Sequence, residues 1–182
     1  MSELVFLIGG ARSGKSRLAL RIARATGLPV VFVATGWAAD AEMESRIARH
    51  RAERPPGWET VERPRDLAGS LSALPNGSCA IVDCLSFWVH GLIEDGASDE
   101  RADHLAALAA SAALAHQGPV IAVSNEVGQG VVPASASGRR YRDVLGRVNA
   151  RWAELAQTAA LVVAGRAVPL STADWLTEEL DR

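Results

Sequence analysis

Gly9-Gly10-Ala11-Arg12-Ser13-Gly14-Lys15-Ser16 follows directly on the apolar run Leu4-Val5-Phe6-Leu7-Ile8 and fits the pattern G-x-x-x-x-G-K-[ST]. A glycine-rich turn between a strand and a helix aims several backbone N–H groups into one concavity, where their dipoles converge on a polyanion. In such a loop Lys15 reaches the β- and γ-phosphates of a nucleotide, and the Ser16 hydroxyl ligates Mg²⁺. Lys15 to Ala25 read as the helix that follows, with Leu18 and Ile22 four apart beside Ala19 and Ala23, so its positive end faces the same anion. Composition singles out the same residue: of 19 lysines and arginines, only Lys15 is lysine. A flexible ammonium stands at the one place where a compact charge must slip between phosphate oxygens.

Working outward, Gly27-Leu28-Pro29 stops the helix, and Val30-Val31-Phe32-Val33-Ala34 has the unbroken apolarity of a strand buried on both faces. Strand, helix and strand at this spacing form a βαβ unit, which predicts an α/β fold on a mostly parallel sheet flanked by helices. Ligands in such sheets gather at the carboxyl ends of the strands, so Thr35 and Gly36 fall near the nucleotide; an ordinary βα turn is the alternative. The run Cys79-Ala80-Ile81-Val82 ends in Asp83, where a phosphate-loop enzyme has its second Mg²⁺ contact; the alternative is a cap for the next helix. Val120 to Ser124 reads as another buried strand. After it, Asn125 to Pro133 form a glycine-bearing loop at a strand's carboxyl end, a common place for function. Ala160 to Val163 close the sheet, and Val168-Pro169-Leu170 is an edge piece because proline cannot donate to a ladder. A short strand is expected over Trp58 to Glu62, and helices over 64–74, 84–93, 104–116 and about 141–157. Residues 94–100 read as an acidic, mobile connection.

One helix stands apart. Asp40 caps a stretch to about Glu53, closed by Pro55-Pro56-Gly57, in which Met43, Ile47 and His50 share a stripe while Arg46, Arg49, Arg51 and Arg54 surround the histidine. One reading is a solvated helix whose arginines pair with Glu42 and Glu53, each pair worth about 0.2–0.5 kcal/mol. The other is a phosphate-binding face carrying a nucleophile, since neighbouring guanidiniums disfavour imidazolium and keep a ring nitrogen unprotonated. Arg139, Arg140, Arg142 and Arg147 likewise either meet a phosphorylated substrate or form an exposed basic face.

The whole chain limits the partners. Its 182 residues suit a single catalytic domain spanning 1–182. A net charge of −2 gives no broad basic field, so nucleic acid is not expected as a partner. No apolar run approaches the roughly 20 residues that span a bilayer, and Met1-Ser2-Glu3 lacks a basic leader, so cytoplasmic residence is expected. Cys79 and Cys84 read as buried thiols, and the four histidines show no ligand spacing.

Taken together, the phosphate loop, Ala34-Thr35, Glu42-Met43 leading to Arg46-Ile47 and His50, Arg54-Pro55 with Trp58, Asn125-Glu126-Val127-Gly128 with Gly130 and Val132-Pro133, and Tyr141-Arg142-Asp143 with Gly146-Arg147-Val148-Asn149 resemble the bifunctional adenosylcobinamide kinase / adenosylcobinamide-phosphate guanylyltransferase family of cobalamin biosynthesis. The resemblance runs from Leu4 to about Val163. It implies a RecA-like P-loop NTPase fold, Mg²⁺, and ATP and GTP as substrates. A nucleoside triphosphate would phosphorylate the aminopropanol hydroxyl of adenosylcobinamide. GTP would then guanylylate a histidine, here His50, from which the phosphorylated corrinoid takes GMP to give adenosylcobinamide-GDP. It further implies that Arg51, Arg54, Glu62 and Asp83 hold the nucleotide, with Asp83 standing where the family pattern has Glu, and that the chain assembles as a homo-oligomer, a trimer. Departures are Gly36-Trp37-Ala38-Ala39 after Thr35, Arg49 before the histidine, and a longer tail from Arg166. Two other functions fit the same loop: a small-molecule kinase with no covalent step, and a GTP-dependent regulatory switch.

Overall fold

In the computed structural model the described residues are 3–37, 41–52, 54–62 and 64–172. Among these residues seven strands form one sheet in the order β3-β2-β4-β5-β1-β6-β7. They are β1 (Glu3–Gly9), β2 (Val30–Ala34), β3 (Glu59–Glu62), β4 (Cys79–Asp83), β5 (Pro119–Asn125), β6 (Thr158–Val163) and β7 (Arg166–Leu170). All neighbours run parallel except the edge strand β7, antiparallel to β6, in which Pro169 sits opposite Ala160. Among the described residues six helices accompany the sheet: α1 (Lys15–Ala25), α2 (Ala41–Ala52), α3 (Leu67–Ser72), α4 (Leu85–Glu94), α5 (Asp99–Ala115) and α6 (Ala136–Leu155). Within α2 the side chains of 41–43, 46, 49 and 50 lie outside those described, as do Asp40 and Glu53 entirely.

Period-two alternation divides the apolar strands between two cores. Leu4, Phe6, Val31, Val33, Ala80, Val82, Val120 and Ala122 join α3 to α6 on one face. Val5, Leu7, Phe32, Ile81, Ile121 and Val123 pack with Ala19, Leu20 and Ala23 of α1 on the other. Small residues on α1 and α5 let both helices lie close to their neighbours, and a covered sheet of this kind needs strands apolar on both sides. β1 leaves the core at Gly9, where a Cβ would stand 2.2 Å from the Val162 carbonyl oxygen. No side chain fits against that backbone. Gly9→Ala is therefore expected to destabilise the fold by about 2–4 kcal/mol, read as a lower denaturation midpoint with an unchanged m-value.

Three helices start or stop where the apolar period does not predict. α3 begins at Leu67 because the Asp66 carboxylate accepts from Gly69 N at 2.9 Å. α5 begins at Asp99 because Ser98 Oγ accepts from Arg101 N at 3.2 Å, and α6 begins at Ala136 because Ser135 Oγ accepts from Gly138 N at 3.1 Å. The end of the acidic connection is therefore ordered helix. Asp99 binds Arg140 Nε at 2.7 Å and Arg147 at 3.1 Å, and Asp103 binds Arg147 Nε at 2.9 Å. These arginines join α6 to α5. Arg142 pairs with Asp143, and Arg139 donates to the carbonyls of Pro133 and Ala134.

The hydrogen bond from Arg140, with Arg147 adding to it, holds the Asp99 carboxyl below its ordinary range. A carboxyl depressed on folding contributes stability that is complete above its unfolded value of about 3.9 and is lost as pH falls through the lower folded value. Solvent screens so exposed a pair to under about 1 kcal/mol. Asp99→Asn should thus lower the urea midpoint slightly at neutral pH, and the difference from the parent should shrink in strongly acid solution.

Candidate active site

The register of the sheet assembles the site. Ala34 at the end of β2 sits opposite Glu62 of β3 and Asp83 of β4, Asp83 sits opposite Val123 of β5, and Gly9 sits opposite Asn125. The carboxyl edge thus brings residues from five strands and their following loops to one line. Along it lies a cleft of about 650 Å³, a size that takes one nucleoside triphosphate.

The phosphate loop forms its floor. Arg12 (φ 57°) and the α1 N-cap Gly14 (φ 101°) both take left-handed backbone, which bends the chain round the concavity. Lys15 is 6% exposed, and its ammonium donates to Gly9 O at 2.8 Å and Gly10 O at 2.7 Å. The turn between β6 and β7 supports the loop from beneath, Gly165 N donating to Ser13 O at 2.8 Å. Arg12, Ser13, Gly14, Lys15 and Ser16 line the cleft; Gly9, Gly10 and Ala11 shape the loop without being part of that lining.

The opposite wall comes from β2, β3 and α2. Ala34, Gly36, Ile47, Arg54 and Glu62 line it. Arg54 is the best-packed cation there: its guanidinium lies 3.9 Å over the Phe32 ring, 3.6 Å from the Glu62 carboxylate and 3.3 Å from Thr60 Oγ1. Burial pulls the guanidinium below its ordinary value against the attraction of Glu62, and an arginine remains charged there. Arg51 reaches the same Glu62 oxygen at 2.8 Å from a more exposed position and is outside the lining. Both arginines thus find their acid on β3. His50 lies on α2 three residues after Ile47, and its side chain is outside those described.

Asp83 lines the cleft at the tip of β4, and the helix after it is N-capped at Cys84 with no side-chain cap, so the capping alternative for Asp83 falls away. Thr35 is not in the lining. Its hydroxyl donates to Cys84 O at 2.6 Å and accepts from Cys84 N at 2.7 Å, while Thr35 N donates to Asp83 O at 3.2 Å. The side chain expected to touch nucleotide instead fixes the backbone that presents Asp83. Burial pushes the Cys84 thiol up to about 11, which keeps it neutral and removes it as a competing nucleophile. Asn149 of α6 accepts from Ser124 Oγ at 2.6 Å and donates to Asn125 O at 3.0 Å, stiffening the end of β5 that carries Asn125 into the cleft. The Glu126 carboxylate accepts from the backbone N–H groups of Gly128 and Gln129, shaping the loop beyond.

Sequence reasoning missed Arg17, Phe32, Cys84, Val123, Ala164 and Gly165 as lining residues. Among these, the Ala164-Gly165 pair left a signal, a glycine-bearing pair between two strand-like runs, and in the structure it forms a two-residue hairpin turn with both φ values positive. Among the described residues, four cations (Arg12, Lys15, Arg17, Arg54) and two carboxylates (Glu62, Asp83) line the cleft, a balance suited to a polyanion.

A phosphate loop closing a strand-to-helix turn at the carboxyl edge of a parallel sheet, with an acid at the tip of β4, one strand removed from β1 because β5 lies between them, defines a RecA-like P-loop NTPase fold. Solved structures agree on that fold alone: a protein of Pyrococcus horikoshii OT3 superposes with TM-score 0.59 at 8% identity, covering 94% of this chain and 87% of that one. An ATPase from the type III secretion system of pathogenic bacteria gives 0.50 at 9%, covering 100% and 62%. Residues 5–170 match the family described as cobinamide kinase / cobinamide phosphate guanyltransferase, and the chain belongs to that family. It is 44% identical over 172 residues to the bifunctional adenosylcobalamin biosynthesis protein CobP of Pseudomonas aeruginosa, covering 90% of this chain and 95% of that one. It is 35% identical over 180 residues to the bifunctional adenosylcobalamin biosynthesis protein CobU of Escherichia coli, covering 92% and 99%.

Proposed function

We propose that this single cleft carries both transfers of the family reaction. In the first, the aminopropanol hydroxyl oxygen of adenosylcobinamide bonds to the γ-phosphorus of ATP or GTP, the bridge to the β-phosphate breaks, and the nucleoside diphosphate and the hydroxyl proton leave. In the second, a ring nitrogen of His50 bonds to the α-phosphorus of GTP and pyrophosphate leaves. A phosphate oxygen of the phosphorylated acceptor then displaces the histidine, giving adenosylcobinamide-GDP. Splitting nucleotidyl transfer through a phosphoramidate is covalent catalysis, and the charge spread over the α-phosphate calls for nearby cations.

The observation that carries this reading is the reach of one cleft from Lys15 to α2. Ile47 stands in its wall, and the period of a helix sets position 50 on the same stripe. Lys15 and Arg12 attend the β/γ end of the nucleotide from the loop, and Arg54, held by Glu62 and Phe32, attends the side nearer α2. Thr35 serves the nucleotide through the Asp83–Cys84 backbone, and Gly36 leaves room beside Phe87. Arg51 steadies Glu62. Ser16 and Asp83 offer hard oxygen ligands, and among the described residues no group of three or more His, Cys, Asp or Glu gathers to hold a metal. Two protein oxygens, with phosphate and water completing the shell, fit Mg²⁺, which when bound neutralises charge on the phosphate oxygens.

We further take the chain to be cytoplasmic, as expected from its lack of a basic leader and of a long apolar run, to assemble as a homotrimer, as the family resemblance implies, and to have no nucleic acid partner, given its net charge of −2. Among the described residues no helix is long and apolar enough to cross a membrane. Competition tests the shared cleft: a non-hydrolysable ATP analogue should inhibit guanylylation of the enzyme competitively with GTP, with the inhibition constant it shows against phosphorylation. Non-competitive inhibition would mean two separate nucleotide sites.

A further inference from the structure

On the reading above, the acceptor is a corrin macrocycle with a hydroxyl-bearing arm. With a nucleoside triphosphate bound in a cleft of about 650 Å³, a ring of that size is left to the mouth of the cleft. The arm must enter while the macrocycle rests outside.

Directly outside lies a run of four rings. Phe87, in the first turn of α4, lines the cleft and also a small hollow shared with Trp37, Arg65 and Gly91. Trp37 meets Phe87 edge-on with centroids 6.2 Å apart and lies nearly parallel to the His90 imidazole at 5.3 Å. His90 in turn meets Tyr141 edge-on at 5.7 Å, and the Tyr141 hydroxyl donates to Ser86 O at 3.3 Å, which fastens α6 to the start of α4. The run therefore leads without a break from the nucleotide to the surface. Trp37, Phe87 and Tyr141 are half-buried and His90 is exposed, whereas Trp88 beside them takes the fully packed place in the core. Gly91 lies under both: a Cβ there would stand 3.4 Å from the Trp37 ring, in ordinary contact, and 2.8 Å from the Arg65 guanidinium, whose flexible end would have to shift. Arg65 is anchored by Asp95 at 2.8 Å, and its fork carries donors beyond that pair.

We propose that Trp37, His90 and Tyr141, continuous with Phe87, form a shelf that holds the macrocycle of the acceptor by its apolar flank, with Arg65 at the rim donating to its amide carbonyls. Half-buried aromatic rings offer large rigid contact area at little entropic cost, and an amide-rimmed macrocycle supplies the complementary apolar flank and polar edge. The shelf fixes where the arm enters: past Phe87, toward Asp83 and the γ-phosphate.

Steady-state kinetics with adenosylcobinamide and GTP test the shelf. Trp37→Ala should raise the KM for adenosylcobinamide about ten-fold, with the KM for GTP and kcat within about two-fold of the parent, and Trp37→Phe should recover most of the loss. His90→Ala, at an exposed position that folding tolerates, should raise the same KM a few-fold. Normal acceptor KM values in His90→Ala and in folded Trp37→Ala would overturn the shelf. An equal rise in the KM for GTP would overturn it too, because the rings would then serve the nucleotide. The functional reading fails separately: parent enzyme that neither phosphorylates adenosylcobinamide nor takes label from GTP refutes that reading, whatever the variants do.

Discussion

Lys15→Ala is expected to lower both the phosphorylation of adenosylcobinamide and the guanylylation of the enzyme by about 10²–10³-fold while leaving the far-ultraviolet spectrum of the fold intact. The argument begins with composition, since the chain uses arginine for every other basic position. It continues with burial: the ammonium sits 6% exposed among the carbonyls of its own loop, at the floor of the cleft. A charge held there meets developing negative charge without reorganising, and in a site shielded from water it counts for more than on the surface. Lys15→Arg should not rescue, because a planar fork cannot follow a point charge between phosphate oxygens. Loss of only one activity would show that the two reactions do not share the loop.

His50→Asn should separate what Lys15→Ala removes together. Guanylyl transfer is expected to fall by about 10⁴-fold or more, as it does when a nucleophile is removed, while phosphorylation stays within about ten-fold of the parent. The measurement is release of pyrophosphate from GTP beside formation of the phosphorylated acceptor. A small-molecule kinase with no covalent step predicts no pyrophosphate release even from the parent, and a regulatory switch predicts tight GTP binding with negligible transfer to any corrinoid.

Much of this arrangement is legible in the sequence because its signals are local. The phosphate loop is eight consecutive residues, and β2, β4 and β5 announce themselves as unbroken apolar runs since both faces of each are covered. Helix starts were less legible. α5 and α6 begin at serine caps five residues ahead of the expected starts at His104 and Tyr141, in polar stretches that read as connection. The acidic residues at 99 and 103 gain helix by pairing with arginines more than 35 positions away, which no local pattern records.

The site divides along the same physical line. Asp83 and Glu62 were expected at the nucleotide and lie in one cleft because the β2, β3 and β4 register aligns their strand ends, while Arg54, expected there too, is brought to it by Phe32, Thr60 and Glu62. Thr35 occupies the expected place in the chain, yet its hydroxyl both donates to and accepts from the Cys84 backbone, a contact across 49 positions. Phe32 under Arg54 and Gly165 under Ser13 are likewise products of packing between distant segments. Spacing tells which residues reach the carboxyl edge; tertiary contacts decide which of them face the ligand.

The central claim is that His50, on the helix facing the phosphate loop, carries GMP. Incubation of the parent, His50→Asn and Lys15→Ala proteins with GTP labelled at the α-phosphate, followed by denaturation and mild acid, tests it most directly. The account predicts a covalent label on the parent that acid releases, no label on His50→Asn, and labelling of Lys15→Ala slowed by about 10²–10³-fold. An unlabelled parent, or a label that persists in His50→Asn, would contradict it.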